Sequence, residues 1–116
     1  MKGTIKKGTE ISFLFSDGEK IFTKSILALV TQKVSQNEDQ RGRIAIIAGK
    51  RLGTAPQRNR AKRRIREAAR AYKAPWDGFD VVLVAREKTG HEDFSELIKD
   101  MGTIVRRIHT TAKTKG

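Results

Sequence analysis

Apolar positions along this 116-residue chain follow two periods, and the switching between them sets out its elements. Residues 6–18, KKGTEISFLFSDG, place Ile11, Leu14 and Phe15 at helical spacing and stop at Gly18. They predict a short amphipathic helix, with Phe13 off its stripe. Residues 20–32, KIFTKSILALVTQ, are β-branched and apolar and predict a strand, either one bent strand or two. Residues 33–42 are polar and read as a loop. RIAIIAG at 43–49 is a second strand, apolar at nearly every position and so covered on both faces. Together these two stretches suggest a hairpin with a long loop.

In the next segment Gly53 turns the chain, Thr54 is placed to cap a helix, and Gln57 stands at the capping-box position. Pro56 falls in the first turn, where it removes no needed donor. The helix is expected to run to about Lys73 and to end before Pro75. FDVVLVAR at 79–86 is a third buried strand after the turn APWDG. A last helix carries Phe94, Leu97, Ile98, Met101, Ile104, Val105 and Ile108 as one stripe. The tail from about residue 111 is expected to be frayed. The order helix, strand, strand or strands, helix, strand, helix describes a single α+β domain over residues 1–116, a sheet covered by helices.

Composition changes this picture in two respects. There is no cysteine, which excludes disulfides and thiolate chemistry and suits a reducing compartment. No apolar run approaches a membrane span and the first residues have no signal-peptide core, so a cytoplasmic protein is expected. Charge changes it more. The net charge is +12, and residues 50–73 hold ten Lys or Arg against the single acid Glu67, which is +9 of that total. A local excess of this size attracts polyanions.

On a helical wheel advancing about 100° per residue, Ala61, Ile65, Ala68, Ala69 and Tyr72 share one face. Lys62, Lys73, Arg66, Asn59, Arg70 and Arg63 fill the opposite arc, extended by Arg60 and Arg64. Arg58 falls nearer the buried edge. Like charges four residues apart repel by roughly a few tenths of a kcal/mol each, and cations in the first turn oppose the helix dipole. A phosphate backbone reverses both effects. An ordinary solvated helix interleaves acids with bases, which this one does not. A membrane helix would expose large apolar residues rather than bury Ala and Ile. A DNA-reading helix follows a partner helix, whereas this one follows a strand. Structured RNA fits best, with arginine forks on phosphates and Asn59 offering an amide to a base edge, a phosphate or a metal-bound water.

GKRLGTAPQRNRAKRRIREAAR at 49–70 closely resembles the signature of the bacterial ribonuclease P protein subunit. The matching positions are Lys50, Arg51, Gly53, Ala55, Arg58, Asn59, Arg60, Lys62, Arg63 and Arg66, and the likeness extends to size, charge, element order, the FDVVLVAR strand and the last helix. The resemblance implies an accessory subunit of a ribonucleoprotein endonuclease, a hydrolase of tRNA processing that removes the 5′ leader of precursor tRNA. It implies that the RNA subunit and magnesium do the chemistry, with no catalytic residue in the protein and no stable protein partner required. It assigns RNA-subunit binding to Lys50, Arg51, Arg58, Asn59, Arg60, Lys62, Arg63, Arg66 and Arg70. It assigns the leader to a cleft involving Ile11, Phe15, Phe22 and Leu29. The implied fold contains a left-handed βαβ crossover, also found in a domain of a small-subunit ribosomal protein, against the usual handedness.

The chain departs from the family pattern where Ile11 and Leu29 stand at positions that usually carry aromatics, and where Pro56 replaces a usual Val. Phe13 and Phe22 are near enough to substitute in the cleft, which then relies more on aliphatic contact. No other constellation suggests chemistry. His91 reads as a helix-start residue, His109 as a partner of a helix C-terminus, the acids of EDFSE as first-turn residues, and Tyr72 and Trp76 as packing. The rival readings are a ribosomal protein and a general RNA chaperone.

Overall fold

The computed structural model describes residues 18–32, 41–91 and 93–115. The helix expected over 6–18, with Ile11, Phe13 and Phe15, lies outside the described residues, as does most of the loop expected over 33–42.

Residues 20–32 resolve into two strands, β1 (Glu19–Phe22) and β2 (Ile26–Gln32), paired antiparallel with each other. The turn between them is closed by Thr23. Its N–H donates to the Ile26 carbonyl at 2.9 Å, and its hydroxyl accepts from the Ile26 N–H at 3.0 Å. The hairpin expected between 20–32 and 43–49 does not form. Strand β3 (Arg43–Ile47) lies at the far edge, and β4 (Phe79–Ala85) sits between β2 and β3, giving the order β1-β2-β4-β3. The reason is burial: β4 is apolar toward both faces, with Val81, Val82 and Leu83 all shielded from solvent, and an interior slot is where such a strand loses least. Its acid, Asp80, is met by its register partner Arg43, whose Nε and Nη2 donate at 3.1 and 2.7 Å. β4 runs antiparallel to β2 and parallel to β3.

The parallel pair is joined through α1 (Ala55–Ala71). A second helix, α2 (Phe94–Lys115), closes the described chain. Both pack on one face of the sheet. Ile21, Ala28, Val30, Val81 and Leu83 meet Ala61, Ile65, Ala68 and Ala69 of α1 and Leu97, Met101, Ile104 and Ile108 of α2. Small alanines let α1 lie close to the strands. The Tyr72 hydroxyl rests on α2 where a side chain at Gly102 would stand.

Two expectations for α2 are corrected. The buried stripe starts at Leu97, since Phe94 is exposed. The helix also continues to Lys115, past the point where a frayed tail is expected from about residue 111, because no Gly or Pro interrupts it between Thr103 and Gly116. His109 therefore stands more than a turn before the helix end and does not partner its C-terminus.

Candidate nucleic-acid interface

The entry to α1 is fixed by its own sequence. Gly53 has φ +118°, a conformation that favours glycine, and a Cβ there would press on the Gln57 side chain. Thr54 then closes a reciprocal cap: its N–H donates to Gln57 Oε1 at 2.7 Å, and the Gln57 N–H donates to Thr54 Oγ1 at 3.3 Å. Lys50 and Arg51 occupy a 3₁₀ turn, Lys50–Leu52, immediately before this cap. At the other end Lys73 takes φ +64°, the Lys73 N–H donates to the Arg70 carbonyl and the Ala74 N–H to the Ala69 carbonyl. That is a Schellman stop two residues before Pro75.

Burial of Ala61, Ile65, Ala68 and Ala69 sets the rotation of α1. Asn59, Arg60, Arg63, Arg66 and Arg70 are consequently exposed, and Lys62 is half-buried. Arg58 is half-buried as well, with its Nε shut off from solvent and without a hydrogen bond. The first turn contains no acid. Arg70 comes within 3.7 Å of Glu67, but both are exposed and such a pair contributes little.

Arg64 does not extend the cationic arc as the wheel suggests. Its Nε donates to the Thr89 carbonyl at 2.8 Å and its guanidinium lies 5.7 Å from the Phe94 ring centroid, so it ties α1 to the start of α2.

Beside the start of α1 lies an open groove of about 480 Å³ lined by Arg51, Arg60, Arg86 and His91, with Glu87 as its one acid. The three arginines come from three elements: the 3₁₀ turn, α1 and the end of β4. Planar guanidinium forks around a concavity suit bidentate binding of phosphodiesters. Arg86 and His91 were not singled out by sequence reasoning for this role. The available signal was a cation directly after the apolar run of β4.

The sheet face away from α1 and α2 follows from the strand register. Phe22, Leu27, Val84 and Ile47 form one row across the four strands, and Lys20, Leu29, Val82 and Ala45 the next. Of the two leader candidates described, Leu29 is fully buried with Ala45 and Val82, whereas Phe22 is 61% exposed. Tyr72 and Trp76 are packing residues, as expected: the Trp76 ring is buried and its Nε1–H donates to the Tyr72 carbonyl at 2.9 Å. Among the described residues no helix is long and apolar enough to cross a membrane.

A family model described as Ribonuclease P matches residues 2–109. The chain belongs to the ribonuclease P protein family. Its similarity to individual ribonuclease P proteins runs nearly end to end. It is 32% identical over 105 residues to the ribonuclease P protein component of Gluconacetobacter diazotrophicus, covering 89% of this chain and 88% of that protein. It is 30% identical over 107 residues to that of Bacillus cereus, covering 91% and 90%. The fold agrees with two solved ribonuclease P proteins. That of Staphylococcus aureus superposes with a TM-score of 0.75 at 20% identity, covering 93% of this chain and 96% of the other. That of Thermotoga maritima gives 0.74 at 24% identity, covering 90% and 96%.

Proposed function

We propose that this chain is the protein subunit of a ribonuclease P holoenzyme that binds the catalytic RNA subunit and removes the 5′ leader of precursor tRNA. The observation that carries this reading is the exposed, one-sided cationic face of α1, with Asn59 between Arg58 and Arg60, in a chain of this family. In this reading Arg60, Arg63, Arg66 and Arg70 meet phosphates of the RNA subunit, and Lys50 and Arg51 extend the contact around the helix start. Arg58 is half-buried, so it braces the first turn and presents only part of its guanidinium. The leader lies along the sheet face that α1 and α2 leave uncovered.

Magnesium belongs to the RNA in this reading. Among the described residues no group of three or more His, Asp or Glu side chains gathers into a metal cage. Asn59 is exposed and is placed to bond a water of an RNA-held ion. The protein's own work is charge neutralisation and positioning, in the cytoplasm and without a second protein.

The test is reconstitution. The protein alone is expected to leave precursor tRNA intact, and the RNA subunit with the protein is expected to cleave it at magnesium concentrations where the RNA alone is slow. RNA recovered with the tagged protein from cells should be a single species able to cleave precursor tRNA. Recovery of ribosomal RNA, or of a broad smear, would sink the proposal in favour of a ribosomal protein or an RNA chaperone.

A further inference from the structure

Phe22 is the most exposed large apolar side chain among the described residues, at 61%. It stands on the edge strand β1, where an apolar row across the sheet through Leu27, Val84 and Ile47 ends in an open aromatic ring. The ring is not unpartnered. The Arg86 guanidinium lies over it, 5.8 Å from the centroid. Arg86 is also a wall of the arginine groove beside α1. One cation thus links an exposed aromatic on the sheet face to a phosphate-binding concavity.

The pair is held in place by buried polar contacts. Thr89 and Ser25 are fully buried. The Arg86 N–H donates to Thr89 Oγ1 at 2.9 Å, and the Thr89 hydroxyl donates in turn to the Ser25 carbonyl. The Ser25 N–H donates to Asp100 Oδ2 at 3.0 Å. The turn that follows Phe22 and the residue that carries the guanidinium are therefore joined through one threonine, and both are anchored to α2. A ring and a guanidinium fixed at stacking distance present a flat, cationic, aromatic surface at no cost in ordering on binding.

We infer that Phe22 and Arg86 form a stacking platform for one unpaired nucleobase of the substrate's leader, with Arg86 also holding the adjoining phosphate. The inference rests on the leader-binding reading above and names the residues that make the complex sensitive to leader sequence. The occupant is single-stranded RNA because the surface combines an aromatic face, a guanidinium plane and an adjoining groove with three arginines to one acid. An apolar protein partner would find no uncharged rim here. Purines, with the larger face, are expected to be favoured.

The experiment uses the holoenzyme reconstituted from the full chain and the RNA subunit. Affinity is measured for precursor tRNA and for mature tRNA, and 2-aminopurine is placed singly at successive leader positions. With the unaltered protein, one leader position should show quenched fluorescence. Phe22→Leu keeps apolar bulk but removes the ring. It should abolish that quenching and weaken precursor binding by about 5- to 30-fold, the effect of losing one base–aromatic stack. Mature tRNA binding should stay the same. Phe22→Trp should restore both signals, which a merely structural role for Phe22 does not predict. Arg86→Lys should retain the salt dependence but lose the purine preference.

If the unaltered holoenzyme favours precursor over mature tRNA and Phe22→Leu does so equally, the platform is wrong while the leader reading stands. If the unaltered holoenzyme does not discriminate, the leader reading itself fails and takes the platform with it. If Phe22→Leu only converts a self-associating protein to a monomer in sedimentation, the ring is a contact between copies and the inference is overturned.

Discussion

Single residues decide how α1 is bounded. Lys73 holds a left-handed conformation in which an L side chain costs roughly 1 kcal/mol or more. Glycine there relieves the strain but loses more unfolded-state entropy. We expect Lys73→Gly to raise stability by about 0.5–1 kcal/mol, read as a higher urea midpoint at unchanged slope. Gly42 is required for a different reason. It is buried, its N–H donates to Asp77 Oδ1 at 3.0 Å, and a Cβ would land on the Trp76 backbone carbonyl. Backbone cannot swing aside as a side chain can. Gly42→Ala should therefore cost about 1–3 kcal/mol, visible in the same denaturation experiment. The need for Gly42 was not legible in the sequence, because the obstacle is a carbonyl 34 residues further along the chain.

On the scale of the element, α1 raises the question of why so much like charge is tolerated. Lys62 with Arg66 and Arg66 with Arg70 repel by a few tenths of a kcal/mol each, about 1 kcal/mol at most. Arg64 adds little to this, since it is turned to Thr89. Complete burial of Ile65 alone is worth about 1.5–3 kcal/mol. The helix thus folds without an anion, and any stabilisation by one reports binding rather than rescue. Pyrophosphate at millimolar concentration should raise the melting midpoint above that in chloride at matched ionic strength, by RT ln(1 + [L]/Kd). Arg60→Gln/Arg63→Gln should narrow the gap. Identical midpoints in the two salts would mean that the arc is not a preformed phosphate surface. The rotation of α1 and its cap were legible because both depend on neighbours within four residues.

The whole molecule concentrates its charge on one side, and this predicts how RNA affinity responds to salt. Substituting Arg60 or Arg63 by Ala should weaken RNA-subunit binding and lower the slope of log affinity against log salt by about one unit each. Lys113→Ala and Lys115→Ala, at the end of the chain, should do less. Equal losses at both places would indicate diffuse charge binding without a face. The pattern to be tested was visible from composition alone, since residues 50–73 hold most of the net charge.

The sequence by itself determined the elements, the rotation and cap of α1, and the family, because periodicity, capping residues and the Arg-Asn-Arg signature are local and survive without knowledge of the fold. Only the tertiary structure decided the neighbours. β4 enters between β2 and β3 because its two apolar faces need an interior slot, and no local pattern in residues 20–49 announces a strand that comes 30 residues later. Arg64 leaves the RNA-facing arc because a carbonyl at Thr89 lies within its reach. Phe22 and Arg86 meet because a buried threonine joins two turns across 64 residues of chain. Contacts between distant segments are set by which surfaces must be hidden together, and that condition belongs to the folded molecule.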